Sequence, residues 1–294
     1  MDFWLPKTQP LWLLIPIFLG MLAGGLVNYL ADVLPHTLDN ECSARLGRPL
    51  CLNPDCKAAF RWTDYLLLRR WRSIRCHPKC RRGRSLRTYA TLVLAAALSV
   101  FIWFSPPHTL GYALGLLVLT YLLLVAVIDL EHRLILRPLS IAGLMLAAAA
   151  GLYVRGWQST LIGGAAGFAI MFVFYLFGKL FTRWRARRAE HSLSLDKADN
   201  EPPNYGGEEA LGSGDVTLAT ILGLLLGWPL IWFGLLLGIL FSGVISLVII
   251  LALLLTRRYK MQAFNFFIPY GPFFILSTFL LIYAPMWMSR LVQK

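Results

Sequence analysis

The sequence is poor in charged residues, and acidic residues are the scarcest. Only 15% of its 294 residues are charged, and Asp and Glu number 15, whereas roughly 25% of residues are charged in soluble domains. Together with 57% apolar residues and a mean hydropathy of +0.63, this scarcity excludes an ordinary cytosolic enzyme. The chain also lacks a His-Glu-x-x-His motif and an evident Ser/His/Asp arrangement, so nothing points to a zinc protease or a serine hydrolase.

Long uncharged apolar runs are present instead, each long enough to cross a bilayer, which takes about 20 residues. Two runs are of double length, and Ser105-Pro106-Pro107 and Gly227-Trp228-Pro229 divide them because proline interrupts a helix. The pattern predicts an all-α polytopic membrane protein with eight transmembrane helices, the sixth of them short. We place the helices near residues 11–30, 89–104, 110–129, 138–154, 159–180, 216–228, 230–255 and 269–289.

The basic residues predict the orientation of these helices. With the N-terminus outside, 24 of the 28 Lys and Arg residues fall in inside loops, and only Lys7, Arg155, Arg290 and Lys294 lie outside. Cytoplasmic loops carry such an excess of positive charge. The net charge of +13 therefore indicates topology, and we expect the lipid bilayer and not nucleic acid as the partner.

Two aspartates stand at predicted helix ends. Asp129 ends the third helix and Asp215 opens the sixth, which places both at the cytoplasmic membrane boundary. An ionised, unpaired carboxylate at such depth costs free energy. Each aspartate is therefore a candidate functional residue. Each alone could instead be a helix cap or a solvated boundary residue.

As a pair, the aspartates suggest aspartic-protease chemistry. Two carboxylates a few ångströms apart share a proton, so one can act as a base towards water and the other as an acid. Gly212 and Gly214 flank Asp215 and would let an extended peptide approach closely.

These motifs, in this order, resemble the type IV prepilin peptidases over nearly the whole chain. The matching segments are Ile128-Asp129-Leu130-Glu131, Gly212-Ser213-Gly214-Asp215 and Pro269-Tyr270-Gly271-Pro272-Phe273, with Gly20, Gly24, Asn28 and Leu34-Pro35 in the first helix. The resemblance implies an eight-helix intramembrane aspartic protease of the bacterial inner membrane, with its active site facing the cytoplasm. Asp129 and Asp215 would be catalytic, and the substrates would be prepilins or pseudopilins.

The resemblance also implies a substrate-binding role for Gly212, Gly214 and the four residues Pro269, Tyr270, Gly271 and Pro272. The alternative is that this Pro/Gly segment only kinks the start of the eighth helix and has no role in binding. The chain departs from the family pattern at Thr217, where a Lys is usual, and at Leu136, where a Pro is usual. Neither change removes a catalytic carboxylate.

All five cysteines lie between positions 42 and 80, in the first predicted cytoplasmic loop. Cys51, Cys56, Cys76 and Cys80 form two pairs with spacing close to that of a structural zinc site. Unrelated free thiols are the alternative, Cys42 is left over, and His77 could replace a ligand. The expected domains are a first transmembrane helix (1–34), a Cys-rich putative zinc loop (35–88) and a seven-helix peptidase domain (89–294).

In larger family members this loop accompanies a second activity, methylation of the new N-terminus with S-adenosylmethionine. The resemblance therefore makes S-adenosylmethionine a candidate cofactor. The family's Arg-Tyr-Pro-Leu-Val-Glu-like run corresponds to residues 87–93 here, where Val93 stands in place of Glu and the Pro is absent.

The second predicted loop, 181–215, starts basic and turns acidic towards Asp215. A solvated linker is one interpretation. The other is that its acidic part, including Glu208 and Glu209, steers a basic prepilin leader to the active site.

Two other classes of protein share some of these features. Intramembrane acids and broken helices also occur in proton- or ion-coupled transporters, although the chain shows no inverted repeat. A zinc-organised membrane scaffold without catalysis is the third possibility.

Overall fold

A computed structural model describes residues 10–38, 65, 86–107, 110–133, 135–193, 212–255 and 270–284. The described residues form helices and turns and no strand. The helices are α1 (Pro10–Leu38), α2 (Leu86–Phe104), α3 (Gly111–His132), α4 (Arg137–Arg155), α5 (Trp157–Leu193), α6 (Ser213–Leu226), α7 (Leu230–Leu255) and α8 (Gly271–Tyr283). Six are long and apolar enough to span a membrane, whereas α6 and α8 are shorter. The described residues confirm the predicted all-α fold, and their six long apolar helices fit a polytopic membrane protein, whereas eight spanning helices were predicted.

Both predicted breaks in the double-length runs are confirmed. Helix α2 ends at Phe104, and Gly227 ends α6 with a positive φ of 70°. Helix α5 is longer than we predicted, because it continues to Leu193 through the basic start of the predicted loop 181–215. Residues 181–193 contain no Gly or Pro and several Arg and Ala, which favour a helix. A charged segment can therefore extend a membrane helix beyond its apolar part.

The chain divides into two compact units, one of residues 1–136 and 282–294 and the other of residues 137–281. In the first unit, α1 packs closely against α2. A Cβ atom on Gly20 would lie 2.7 Å from the Ala96 Cα, so only glycine fits there. Asn28 donates to the Thr88 carbonyl at 3.2 Å and accepts from the Thr91 hydroxyl at 2.7 Å. Small residues and interhelical hydrogen bonds of this kind hold membrane helices together.

In the second unit, α6 packs closely against α4 and α5 through small residues. A Cβ on Gly163 would lie 2.5 Å from the Gly223 carbonyl oxygen, and one on Gly167 would lie 2.4 Å from that of Ala219. A Cβ on Gly151 of α4 would meet the α6 backbone as well. These close contacts fix α6, the helix that carries Asp215.

The turn after α6 is joined to the start of α5 by two hydrogen bonds. The Trp228 N–H donates to the Ser159 carbonyl, and the Ser159 hydroxyl donates to the Trp228 carbonyl, both at 2.9 Å. The Gly227 N–H also donates to the Gly223 carbonyl at 2.9 Å. The C-terminal end of α6 is therefore firmly placed within this unit.

Candidate active site

Asp129 lies in the last turn of α3, where an apolar helix becomes polar. Its side chain is only 5% exposed, and it follows the buried residue Ile128. The helix ends at Arg133, which has a left-handed φ of 53° and donates its N–H to the Asp129 carbonyl at 2.9 Å. The carboxyl group is thus buried at a helix end, as the sequence predicts.

A network of charged side chains that sequence reasoning missed surrounds the same end of α3. Arg87, at the start of α2, pairs with Asp32 of α1 and with Glu131 of α3. The Tyr65 hydroxyl donates to the second Asp32 carboxylate oxygen at 2.7 Å. We call Tyr65, Asp32, Arg87 and Glu131 the ion-pair network.

The sequence contained a weak signal for this network. Asp32, Arg87 and Glu131 each lie near the end of a different apolar helix, and all three ends were predicted on the same side of the membrane. Acidic residues are scarce in this chain, so an acid at such a position could have been matched with the Arg that faces it.

Asp215 lies in the first turn of α6, as predicted. Gly212 precedes the helix in an extended conformation (φ −74°, ψ 148°), and the Asp215 N–H donates to its carbonyl at 3.1 Å. The Asp215 carboxylate in turn accepts a hydrogen bond from the Gly212 backbone. This reciprocal arrangement resembles a capping box, and the positive end of the helix dipole favours a negative charge there. Capping and a catalytic role are therefore compatible at this position.

Helix α6, which carries Asp215, is shorter than a full membrane crossing. Its 14 residues span about 21 Å at about 1.5 Å per residue, which is less than the roughly 30 Å hydrocarbon core. Helix α6 is therefore short, as the sequence predicts.

Gly212 leaves open space at the start of α6. It is exposed, and among the described residues a Cβ on it would meet no atom closer than the Gly214 nitrogen at 3.9 Å. Its φ is one that any residue can adopt, so the backbone conformation does not require glycine.

Tyr270, Gly271 and Pro272 form the start of α8. The Tyr270 carbonyl accepts from the N–H groups of Phe273 and Phe274 at 3.1 and 3.3 Å, and its side chain is 43% exposed. Proline is compatible with the first turn of a helix, and Pro272 lies in the first turn of α8.

The structure describes some of the predicted site residues and not others. Asp129 lies in the first unit, whereas Asp215, Gly212, Gly214, Tyr270, Gly271 and Pro272 lie in the second. Pro269 and the four cysteines Cys51, Cys56, Cys76 and Cys80 lie outside the described residues, as do Cys42, His77, Glu208 and Glu209. Within the described part of the chain, no group of three or more His, Cys, Asp or Glu residues could hold a metal ion. The zinc site therefore stays a prediction.

The apolar helices indicate a polytopic membrane protein, with a carboxyl group buried at the end of an apolar helix. The model of the type IV leader peptidase family matches residues 116–284, and the chain belongs to that family. The chain is also 26% identical over 226 residues to a prepilin leader peptidase/N-methyltransferase of Myxococcus xanthus (strain DK1622). That match covers 74% of this chain but only 57% of the relative's length. No solved structure matches the chain.

Proposed function

We propose that this protein is an intramembrane aspartic endopeptidase that removes the basic leader of type IV prepilins or pseudopilins at the cytoplasmic membrane face. The observation that carries the proposal is the family match, because residues 116–284 include Asp129, Asp215 and the Tyr270–Phe273 segment. The burial of Asp129 in an apolar helix supports it, since a buried acid in a membrane helix indicates a function. The same family match favours a peptidase over an ion-coupled transporter.

In this mechanism Asp129 and Asp215 are the two carboxyl groups that share one proton. The ionised carboxylate takes a proton from water, the water oxygen attacks the scissile carbonyl, and the protonated carboxyl donates to the departing amine. Thr217, at the position where the family usually has Lys, adds no positive charge next to Asp215.

The substrate would bind in an extended conformation next to Asp215. Gly212 offers open space before α6, and Tyr270 offers an exposed ring and a backbone turn before α8. The apolar part of the prepilin would lie among the membrane helices, with the bond after its leader glycine at the two aspartates.

A second activity, N-methylation, is favoured by the name of the Myxococcus relative. It would transfer a methyl group from S-adenosylmethionine to the new N-terminal amine, which loses a proton. Val93, which replaces the expected Glu, is 68% exposed on α2 and supplies no charge there. We therefore expect methylation to be weaker than cleavage.

Mass spectrometry of a purified reaction tests both activities. The full-length protein in bicelles is incubated with a synthetic prepilin peptide, with and without S-adenosylmethionine. The proposal predicts two fragments separated at the leader glycine, and methylation would make the mature fragment one methyl group heavier. An intact peptide, combined with proton-coupled uptake in vesicles, would support the transporter instead.

A further inference from the structure

The ion-pair network joins three helices at the end of α3 that carries Asp129. The two terminal nitrogens of Arg87 divide between Asp32 of α1 and Glu131 of α3, and the Arg87 side chain is only 18% exposed. Hydrogen bonds between charged groups are about twice as strong as neutral ones, and the planar guanidinium fixes both partners in direction. Arg87 therefore holds the ends of α1 and α3 in one arrangement.

The network continues into the segment between α1 and α2 through Tyr65. Its side chain is 3% exposed, its hydroxyl donates to Asp32, and its ring packs edge-on against Tyr29 with the ring centres 5.7 Å apart. This segment also contains all five cysteines. A residue of the Cys-rich segment is thus bonded to the partner of Arg87.

Glu131 and Asp129 point in different directions from α3. They are two residues apart, and at about 3.6 residues per turn their side chains lie roughly 200° apart around the helix axis. Arg87 can therefore contact Glu131 on one side of α3, while the Asp129 carboxyl lies on the opposite side of the helix. The backbone hydrogen bonds at a helix end open most easily. Glu131 lies in the last turn of α3, next to its last residue, His132.

We propose that Arg87 is a positioning residue for Asp129, and that the ion-pair network fixes the last turn of α3. Without the network this turn opens and the Asp129 carboxyl loses its fixed direction. The effect on cleavage rests on the proposed peptidase function, whereas the effect on the helix end does not.

Hydrogen exchange tests the structural part in the full-length protein. Arg87→Met should speed exchange of the peptide amides in residues 125–136 by about tenfold or more, while the α6 amides stay unchanged. Arg87→Lys keeps the charge and should restore part of the protection. Arg155→Met is the matched control, because it removes an exposed Arg from the C-terminal end of α4. Equal exchange in Arg87→Met and Arg155→Met would overturn the proposal.

Cleavage kinetics test the positioning role. A displacement of about 1 Å in a catalytic group costs on the order of 10²-fold in rate, so Arg87→Met should lower kcat by about that factor with KM changed less than about twofold. Arg87→Lys keeps the charge but not the planar pairing with two carboxylates, so it should recover only part of the loss. A rise in KM at unchanged kcat would refute positioning.

Glu131→Gln keeps the size of the side chain but removes the negative charge that pairs with Arg87, and it gives the same test if Arg87→Met does not fold. Its exchange in residues 125–136 should also rise, and exchange equal to wild type would overturn the proposal. If the wild-type protein cleaves no prepilin, the peptidase function fails, while the exchange experiment still decides whether the network holds α3.

Discussion

The close packing of α5 against α6 gives a quantitative prediction. In Gly163→Ala the new Cβ would lie 2.5 Å from the Gly223 carbonyl oxygen and 2.6 Å from the Gly227 Cα. Ordinary contacts begin at 3.4 Å, so the two helix backbones must separate by about 0.9 Å. Such overpacking costs about 1–3 kcal/mol, and we expect that loss in the free energy of unfolding.

Gly243→Ala on α7 is the matched control, because a Cβ there meets no atom of the described residues within 4 Å. Alanine is the better helix former by roughly 1 kcal/mol, so this variant should be as stable as the wild type or slightly more stable. Both variants would be unfolded by denaturant in the same bicelles, with helical circular dichroism as the signal. Equal midpoints for Gly163→Ala and Gly243→Ala would refute the close packing of α5 and α6.

Gly212→Ala tests substrate binding without a large change in the free energy of unfolding. The backbone there suits any residue and the methyl group has open space, so the free energy of unfolding should change by less than about 0.5 kcal/mol. Cleavage should nevertheless slow, if the substrate backbone occupies that space. Tyr283→Phe removes a buried 2.6 Å hydrogen bond to an α3 carbonyl and should cost about 1–3 kcal/mol of unfolding free energy. Arg133→Gly should stabilise by about 0.5–1 kcal/mol, because glycine adopts the left-handed φ without strain. Charge reversal at Glu208 and Glu209 should slow cleavage at low salt and have little effect at high salt, whereas equal rates would reject steering of the leader.

Most of the helices and both aspartates could be predicted from the sequence, for different reasons. Uncharged runs of sufficient length predict membrane helices directly, and proline predicts where α2 and α6 end. Asp129 and Asp215 stand out because acids are rare in this chain and each lies at the end of an apolar run.

Other features depend on three-dimensional packing or on weak local signals. Arg87 and Asp32 are 55 residues apart, so no local pattern pairs them. The extension of α5 to Leu193 was missed because an Arg-rich segment after an apolar run looks like a loop, although its residues favour a helix.

Mass spectrometry of prepilin peptide incubated with Asp129→Asn and Asp215→Asn is the most direct test of the account. Asparagine is nearly isosteric with aspartate but cannot carry the shared proton, so both variants should insert normally and cleave nothing. Gly243→Ala, measured in parallel, should cleave at the wild-type rate. Appreciable cleavage by either Asn variant would contradict the assignment of these two aspartates as the catalytic pair.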